Sequence, residues 1–281
     1  MNNILQRTLT GSVFVFLVIA SLWYGDIPTV ILFGFFTLFG LIEFYQLFNQ
    51  HESVKVSWKF ASAVGLLIFG ILSASFMEWI PLIFIFFLIP ILFLNMLIEL
   101  WKKEDEPIYN IAIQMLGIVY IVFPFYLMVE LNKQSSHDFP RAIGMFLLIW
   151  TNDTFAFLTG KFFGRTKLFE RISPKKTWEG TIGGGILTIL VAVLLAFFYN
   201  DKQDLGFWVG AAIIVVPCAV LGDLLESLFK RNLNIKDSGK FLPGHGGILD
   251  RFDAAIFAVP FYYCWSLFYS YYYNSISLFD F

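Results

Sequence analysis

Residues 79–98 read WIPLIFIFFLIPILFLNMLI, a run of twenty residues without one charged side chain. A bilayer core about 30 Å thick is spanned by about 20 helical residues, so this run predicts a transmembrane helix. Backbone polar groups in hydrocarbon have to be satisfied within the segment, which favours helices. The composition agrees, because 58% of the 281 residues are hydrophobic and 14% are charged, against about 45–50% and about 25% in soluble domains.

Similar apolar runs recur along the chain and predict an all-α polytopic membrane protein with about nine transmembrane helices. The two cysteines, Cys218 and Cys264, lie inside these runs without a disulfide or metal-ligand spacing, and we interpret them as packing residues. The predicted segments are approximately 9–25, 27–48, 59–77, 79–98, 108–131, 140–160, 181–199, 205–225 and 254–274.

The distribution of basic residues predicts the orientation of the chain in the membrane. Sixteen of the 19 Lys and Arg residues fall in loops on the N-terminal side, and three, Lys133, Arg141 and Lys202, fall on the other side. The positive-inside rule therefore places the N-terminus in the cytoplasm. An odd number of spans then places the C-terminus outside. The sequence thus predicts a multi-pass protein of the cell membrane with its functional face in the cytoplasm.

Two predicted cytoplasmic loops, residues 161–180 and 226–253, contain most of the candidate functional residues. Both loops are basic and contain glycine, and the two spans between them bring them to the same compartment. Residues 1–135, with about five helices, carry few charges and are interpreted as a transmembrane scaffold region. Residues 136–281 are interpreted as the catalytic transmembrane region.

Three carboxylates predict a metal site at the second loop. Asp250 and Asp253 are three residues apart, so a helix that begins there places both on one face. Asp223 lies at the end of the preceding predicted span. Hard oxygen ligands of this kind suit Mg²⁺. The alternative interpretation is helix capping together with interfacial charge.

The turn that precedes this helix reads Pro243-Gly244-His245-Gly246-Gly247. Glycine lets the backbone adopt positive φ and approach a ligand closely. Backbone amides beside a helix N-terminus bind phosphate oxygens, and His245 is a candidate phosphate donor. A plain turn without a ligand is the alternative, because glycine-rich loops are common.

Basic side chains lie around both loops. Cations beside carboxylates suit a metal-bound polyphosphate, whereas the alternative is attraction to anionic lipid. Lys240 is assigned to that alternative, and Lys230, Lys236 and Arg251 are assigned to function. The first loop contains the run SPKKTWEG over residues 173–180, just before a predicted helix N-terminus. Two lysines beside a helix N-terminus again favour the binding of an anion.

Ionisable residues inside predicted spans are functional hypotheses by default. Asp153, in the sixth span, is one of them. Glu43 and Glu130, in the second and fifth, are interpreted as facing a bundle interior or an interface.

The second loop resembles the signature of the phosphatidate cytidylyltransferase (CDP-diacylglycerol synthase) family. The matching elements between residues 227 and 253 are SLFKR, KD, SG and PGHGGILDRFD, and a second block runs from NDTFAFLTGKFFG to SPKKTWEG. The resemblance implies that CTP and phosphatidate give CDP-diacylglycerol and pyrophosphate with Mg²⁺. It also implies a homodimer, with Asp223 and Asp250 as metal ligands and K⁺ as a candidate second cation.

On this hypothesis a phosphate oxygen of phosphatidate attacks the α-phosphorus of CTP. No general base is required, because a phosphate monoester is already ionised at neutral pH. The predicted catalytic residues are Asp223, Asp250, Lys230, Arg251 and Asp253. The predicted substrate contacts are Ser173, Lys175, Lys176, Ser227, Arg231, Lys236, Asp237, Gly244, His245, Gly246, Gly247 and Asp153.

Three alternatives remain open at this point. A CTP-dependent transferase acting on another lipid phosphate or a polyprenol uses the same chemistry, and only the signature favours phosphatidate. A secondary transporter would use Asp153 and interrupted helices, but its expected mark is related halves, which the sequence lacks. A membrane scaffold leaves the acid, base and glycine cluster unexplained. No nucleic-acid partner is predicted.

Overall fold

The structure is a computed structural model that describes residues 3–133, 140–198, 204–235, 238–239 and 246–277. Its helices are α1 Asn3–Tyr24, α2 Asp26–Phe48, α3 Trp58–Phe76, α4 Leu88–Leu97, α5 Pro107–Gly117, α6 Phe123–Lys133, α7 Arg141–Phe163, α8 Trp178–Phe198, α9 Asp204–Asn232 and α10 Leu249–Ser277. Two short strands, β1 Lys167–Phe169 and β2 Ser173–Thr177, separate α7 from α8. The 3₁₀ turns Leu82–Phe87 and Ile98–Leu100 flank α4, and the π-helical turn Ile118–Val122 joins α5 to α6.

The predicted all-α polytopic membrane fold is confirmed. Within the described residues, seven helical stretches are long and apolar enough to cross a bilayer. The first helix adds a shorter apolar stretch over Thr8–Tyr24, and the tyrosine-rich α10 is not among the seven. The total of nine spans and the cytoplasmic N-terminus stay predictions. The seven stretches are Asp26–Phe48, Trp58–Phe76, Leu82–Leu100, Pro107–Lys133, Arg141–Phe163, Trp178–Phe198 and Leu205–Asn232.

The chain forms two compact units. The first comprises Met1–Lys133 and Phe229–Phe252, and the second comprises Gln134–Leu228 and Asp253–Phe281. Most of the second predicted loop therefore belongs to the same unit as the N-terminal helices. The functional division into a scaffold region, 1–135, and a catalytic region, 136–281, stays a prediction.

An aromatic core holds the first unit together. In this unit α2 packs against α1, α3 and α6. The buried ring of Phe252 lies 4.9 Å from that of Phe36 and 5.0 Å from that of Phe125. Phe229 packs in the same way on Phe48, with 5.5 Å between ring centroids. Each such pair stabilises the fold by about 0.5–1.5 kcal/mol, so the core anchors both ends of the segment from Phe229 to Phe252.

In the second unit, the predicted first loop contains an antiparallel hairpin of β1 and β2. The carboxylate of Glu179, in the first turn of α8, accepts hydrogen bonds from the backbone amides of Arg165 and Thr166 at 3.0 and 3.1 Å. A glutamate in the first turn of a helix also complements the helix dipole. These bonds tie the start of the hairpin to α8, while α8 itself packs along α7.

Candidate active site

Lys176 and Asp223 form an ion pair in the second unit. Lys176 lies on β2 and Asp223 on α9, and the Nζ–Oδ2 distance is 2.5 Å. The two side chains are 25% and 36% exposed, so the pair remains open to solvent. The Lys176 ammonium also donates to the carbonyl of Val220 at 3.4 Å. The hairpin therefore brings a cation to a carboxylate that was predicted to bind metal.

A cavity of about 450 Å³ surrounds this ion pair. Its wall includes Asp153 from α7 and Lys175 from β2 as well as Lys176 and Asp223. The volume lies within the range of about 300–1,000 Å³ that is usual for small-molecule sites. Four predicted site residues, which lie as far apart in the sequence as Asp153 and Asp223, thus line one cavity. Ser173, at the start of β2, is not among the residues of its wall.

Asp223 also belongs to a cluster of three carboxylates with Glu226 and Asp253. One oxygen atom from each side chain lies within 4.8 Å of the others. The cluster forms because α9 and α10 approach closely in this unit: a Cβ atom at Gly222 would lie 2.5 Å from the carbonyl oxygen of Asp253. Carboxylate oxygens at this spacing fit a hard divalent cation. The Ser227 hydroxyl donates to Oδ1 of Asp223 at 3.3 Å.

Sequence reasoning missed Glu226 as a member of this cluster. Glu226 follows Asp223 by three residues on α9, a spacing that places both side chains on one helix face. The signal was therefore present in the sequence. Glu226 is buried, whereas Asp223 and Asp253 are half-buried.

Lys230 and Asp250 form a second ion pair, which lies in the first unit. Lys230 Nζ donates to Asp250 Oδ1 at 2.8 Å, and the side chains are 15% and 11% exposed. The other oxygen, Oδ2, accepts hydrogen bonds from the amides of Ser238 at 3.1 Å and Gly247 at 2.9 Å. Asp250 stands in the first turn of α10, where a negative charge is stabilised by the helix dipole.

Glu43 contacts the same segment from α2. Its carboxylate accepts hydrogen bonds from the Ser238 hydroxyl and from the amides of Ile248 at 2.8 Å and Leu249 at 3.2 Å. Glu43 was predicted to face a bundle interior or an interface, and it is buried in the structure. The sequence did not predict these contacts. They were missed because nothing in the local sequence pairs α2 with a segment so distant along the chain.

The other predicted residues divide into described and undescribed ones. Arg231 and Arg251 are exposed near the end of α9 and the start of α10. Gly246 has a φ of 80°, as expected for a glycine turn. The amide of Gly247 is directed at Asp250 rather than at open space. The predictions for Lys236, Asp237, Lys240, Gly244 and His245 lie outside the described residues.

The predicted metal ligands Asp223 and Asp250 belong to different units. Each has its own polar partners, and their sharing of one metal ion stays a prediction. Among the described residues of the second unit, Asp223, Glu226 and Asp253 meet the geometry of a metal site.

A multi-pass membrane protein whose second unit has a cavity lined by lysines and carboxylates belongs to a class suited to binding a metal-complexed polyphosphate. Residues 5–269 match the model of the Cytidylyltransferase family, and the chain belongs to this family. The family resemblance predicted from the sequence is thereby confirmed.

Three relatives carry the name phosphatidate cytidylyltransferase. The protein of Staphylococcus aureus strain COL is 34% identical over 255 residues, which cover 90% of this chain and 95% of the relative. The Staphylococcus haemolyticus protein is 33% identical over 254 residues, with the same shares covered. The protein of Staphylococcus epidermidis strain ATCC 12228 is 33% identical over 259 residues, again with 90% and 95% covered.

Proposed function

We propose that this protein is a nucleotidyltransferase that joins CTP to phosphatidate and releases CDP-diacylglycerol and pyrophosphate. The observation that carries the proposal is membership of the Cytidylyltransferase family over residues 5–269. Relatives that match nine-tenths of the chain are named phosphatidate cytidylyltransferase. This activity would serve phospholipid biosynthesis.

The chemistry requires two anions to approach each other. A phosphate oxygen of phosphatidate forms a bond to the α-phosphorus of CTP, and the bond between that phosphorus and the oxygen bridging to the β-phosphate breaks. The electron pair of the broken bond leaves with pyrophosphate. The cavity beside Lys175 and Lys176 supports this assignment, because two ammonium groups on β2 lower the repulsion between nucleotide and lipid phosphate.

Asp153 and Asp223 line the same cavity and carry the opposite charge. We assign them to binding the cation that accompanies the triphosphate rather than to contacting phosphate directly. Carboxylates alone would repel CTP, so the site needs both the lysines and a metal ion.

Mg²⁺ is the proposed cofactor, with K⁺ as a candidate second cation. When bound, Mg²⁺ neutralises phosphate charge and aligns the attacking and leaving oxygens. The residues that would hold it are Asp223 with Glu226 and Asp253, whose oxygens fit a divalent ion. Asp250 is retained as a proposed further ligand on the strength of the sequence prediction.

The cellular setting is proposed from the charge distribution and the spans. Seven stretches suited to a bilayer support a multi-pass protein, and we place it in the cytoplasmic membrane with the site on the cytoplasmic face. Phosphatidate would reach that site from the bilayer. A homodimer is the proposed assembly.

The proposal is tested with purified protein, CTP labelled in the cytosine ring, Mg²⁺ and a mixture of candidate lipid acceptors. We expect the label in the lipid extract as CDP-diacylglycerol when phosphatidate is present. Label that enters the lipid fraction only with a polyprenol or another lipid phosphate would contradict the assignment of phosphatidate.

A further inference from the structure

We infer that Glu43 is a positioning residue, which holds residues 238–239 and 246–250, together called the segment, in the geometry that the reaction uses. How the segment is held follows from contacts within the first unit. What its geometry is used for rests on the proposed function. Glu43 lies on α2, in the part of the chain that the sequence indicated was only a scaffold.

The Glu43 carboxylate receives three donors from this segment. Oε1 accepts from the Ser238 hydroxyl and from the Leu249 amide, and Oε2 accepts from the Ile248 amide. A carboxylate inside a membrane span is costly unless its oxygens are satisfied. Here the hydrogen-bond donors to the carboxylate come from outside α2. The segment therefore stabilises the buried carboxylate of Glu43, and Glu43 in turn fixes the position of the segment.

Glu43 and Asp250 hold the segment jointly. Ser238 donates its hydroxyl to Glu43 and its backbone amide to Asp250. The Gly247 amide donates to Asp250, and the next amide, that of Ile248, donates to Glu43. Both carboxylates therefore accept hydrogen bonds from the same two stretches of chain, one at Ser238 and one at Gly247 and Ile248. A shift of Glu43 would displace the donors that orient Asp250.

Two glycines of the segment make room for Glu43. A Cβ atom at Gly239 would lie 2.7 Å from the carboxyl carbon of Glu43, and one at Gly247 would overlap the carboxylate. The close approach of Glu43 thus explains why glycine stands at 239 and at 247. Both glycines allow a buried carboxylate to reach the backbone, as glycine does wherever close approach is needed.

The contacts also require a carboxylate rather than an amide. A carboxylate only accepts hydrogen bonds, whereas the glutamine amide has two N–H donors on one side. In Glu43→Gln, the side-chain NH₂ group would replace one of the two accepting oxygens. It would then point at the Ile248 amide, or at the donors of Ser238 and Leu249, and two donors would meet. The substitution keeps the size of the side chain and weakens the hydrogen bonds between residue 43 and the segment.

The matched control is Glu130 on α6. It is a buried glutamate in a span of the same unit, and the Tyr126 hydroxyl one turn away donates to it. Its position on α6 makes Glu130→Gln a test of removing a buried charge from this unit without changing the carboxylate that contacts Ser238, Ile248 and Leu249.

The experiment uses the full chain purified in detergent. We expect Glu43→Gln to speed amide exchange in peptides covering residues 246–252 by at least about tenfold. We also expect it to raise the Mg²⁺ concentration for half-maximal activity by about tenfold, the usual scale for residues that orient metal ligands. Peptides of α3 and α6 keep their exchange rates. Glu130→Gln leaves both readouts as in the wild type.

Wild-type exchange over residues 246–252 in folded Glu43→Gln, or a wild-type Mg²⁺ requirement, would overturn the inference. If Glu43→Gln does not fold, Ser238→Ala decides, because it removes one donor to Glu43 and keeps the backbone amide that serves Asp250. A loss of one such hydrogen bond predicts about a fivefold fall in activity, and wild-type rates and exchange would overturn the inference. A wild-type protein that makes no CDP-diacylglycerol contradicts the proposed function instead, and the exchange measurement still decides the role of Glu43.

Discussion

The Lys176 ammonium lies 2.5 Å from Oδ2 of Asp223, so strand β2 meets α9 through a pair of opposite charges. Such a partly exposed pair contributes about 0–1 kcal/mol to stability. The pair keeps a cation and a carboxylate together in a cavity whose wall also includes Asp153 and Lys175, and the proposed function assigns this cavity to the nucleotide.

Replacement of Asp223 by asparagine should reduce CDP-diacylglycerol formation at least about 100-fold, the scale for loss of a charged group that stabilises phosphoryl transfer. Asp223 belongs to both the ion pair and the carboxylate cluster, so its loss affects both. Initial rates with saturating CTP and phosphatidate provide the measurement. Glu78→Gln, at a carboxylate that is 85% exposed, is the control and should leave the rate unchanged. Near wild-type activity in folded Asp223→Asn would remove Asp223 from the metal site.

Chelation with EDTA should abolish activity, and added Mg²⁺ should restore it. Glu226→Gln should shift the Mg²⁺ activation curve to about tenfold higher concentration, because Glu226 contributes an oxygen to the cluster. The titration is run on wild-type and variant protein side by side. An unshifted curve in Glu226→Gln, together with a shifted one in Asp250→Asn, would move the metal from this cluster to Asp250.

Gly246→Ala should lower activity at least about tenfold, since the added methyl group would displace Asp250, a predicted metal ligand. The backbone at Gly246 has a φ of 80°, and a Cβ atom there would lie 2.5 Å from Oδ2 of Asp250. A non-glycine residue in this region costs about 1–3 kcal/mol. Gly70→Ala is the matched control, because a Cβ atom at Gly70 meets nothing within 4 Å. Equal activities and melting temperatures for the two variants would refute this explanation of Gly246.

A reporter fused after Phe281 should lie outside the cytoplasm. This follows from nine spans with a cytoplasmic N-terminus, and α10 is the helix that the measurement tests most sharply. It is tyrosine-rich and lies outside the seven stretches that meet the length and hydropathy of a span. A cytoplasmic reporter would show that one predicted span does not cross the membrane.

The helices were predictable from the sequence because long apolar runs leave few alternatives in a bilayer. The run at residues 79–98 corresponds to α4 and its flanking 3₁₀ turns. The hairpin of β1 and β2 was not predicted. Its strands are three and five residues long and carry no apolar alternation, and Pro174 lies in β2, so strand signals are weak there.

Individual residues of the candidate site could be predicted from the sequence, but the contacts between them could not. The sequence predicted Lys176, in the first loop, and Asp223, at the end of the eighth predicted span, as site residues. Their ion pair depends on how β2 packs against α9. Glu43 shows the opposite case. A lone glutamate in an apolar span gives no indication of its partners, which in the folded protein are Ser238, Ile248 and Leu249.

The most direct test of the central claim is pyrophosphate release by the purified protein, measured with CTP and Mg²⁺ in the presence and absence of phosphatidate. Cytidylyl transfer to phosphatidate predicts one pyrophosphate for each CDP-diacylglycerol formed, and no release when phosphatidate or Mg²⁺ is omitted. Pyrophosphate release that does not depend on phosphatidate, or no release from active, folded protein with every component present, would contradict it.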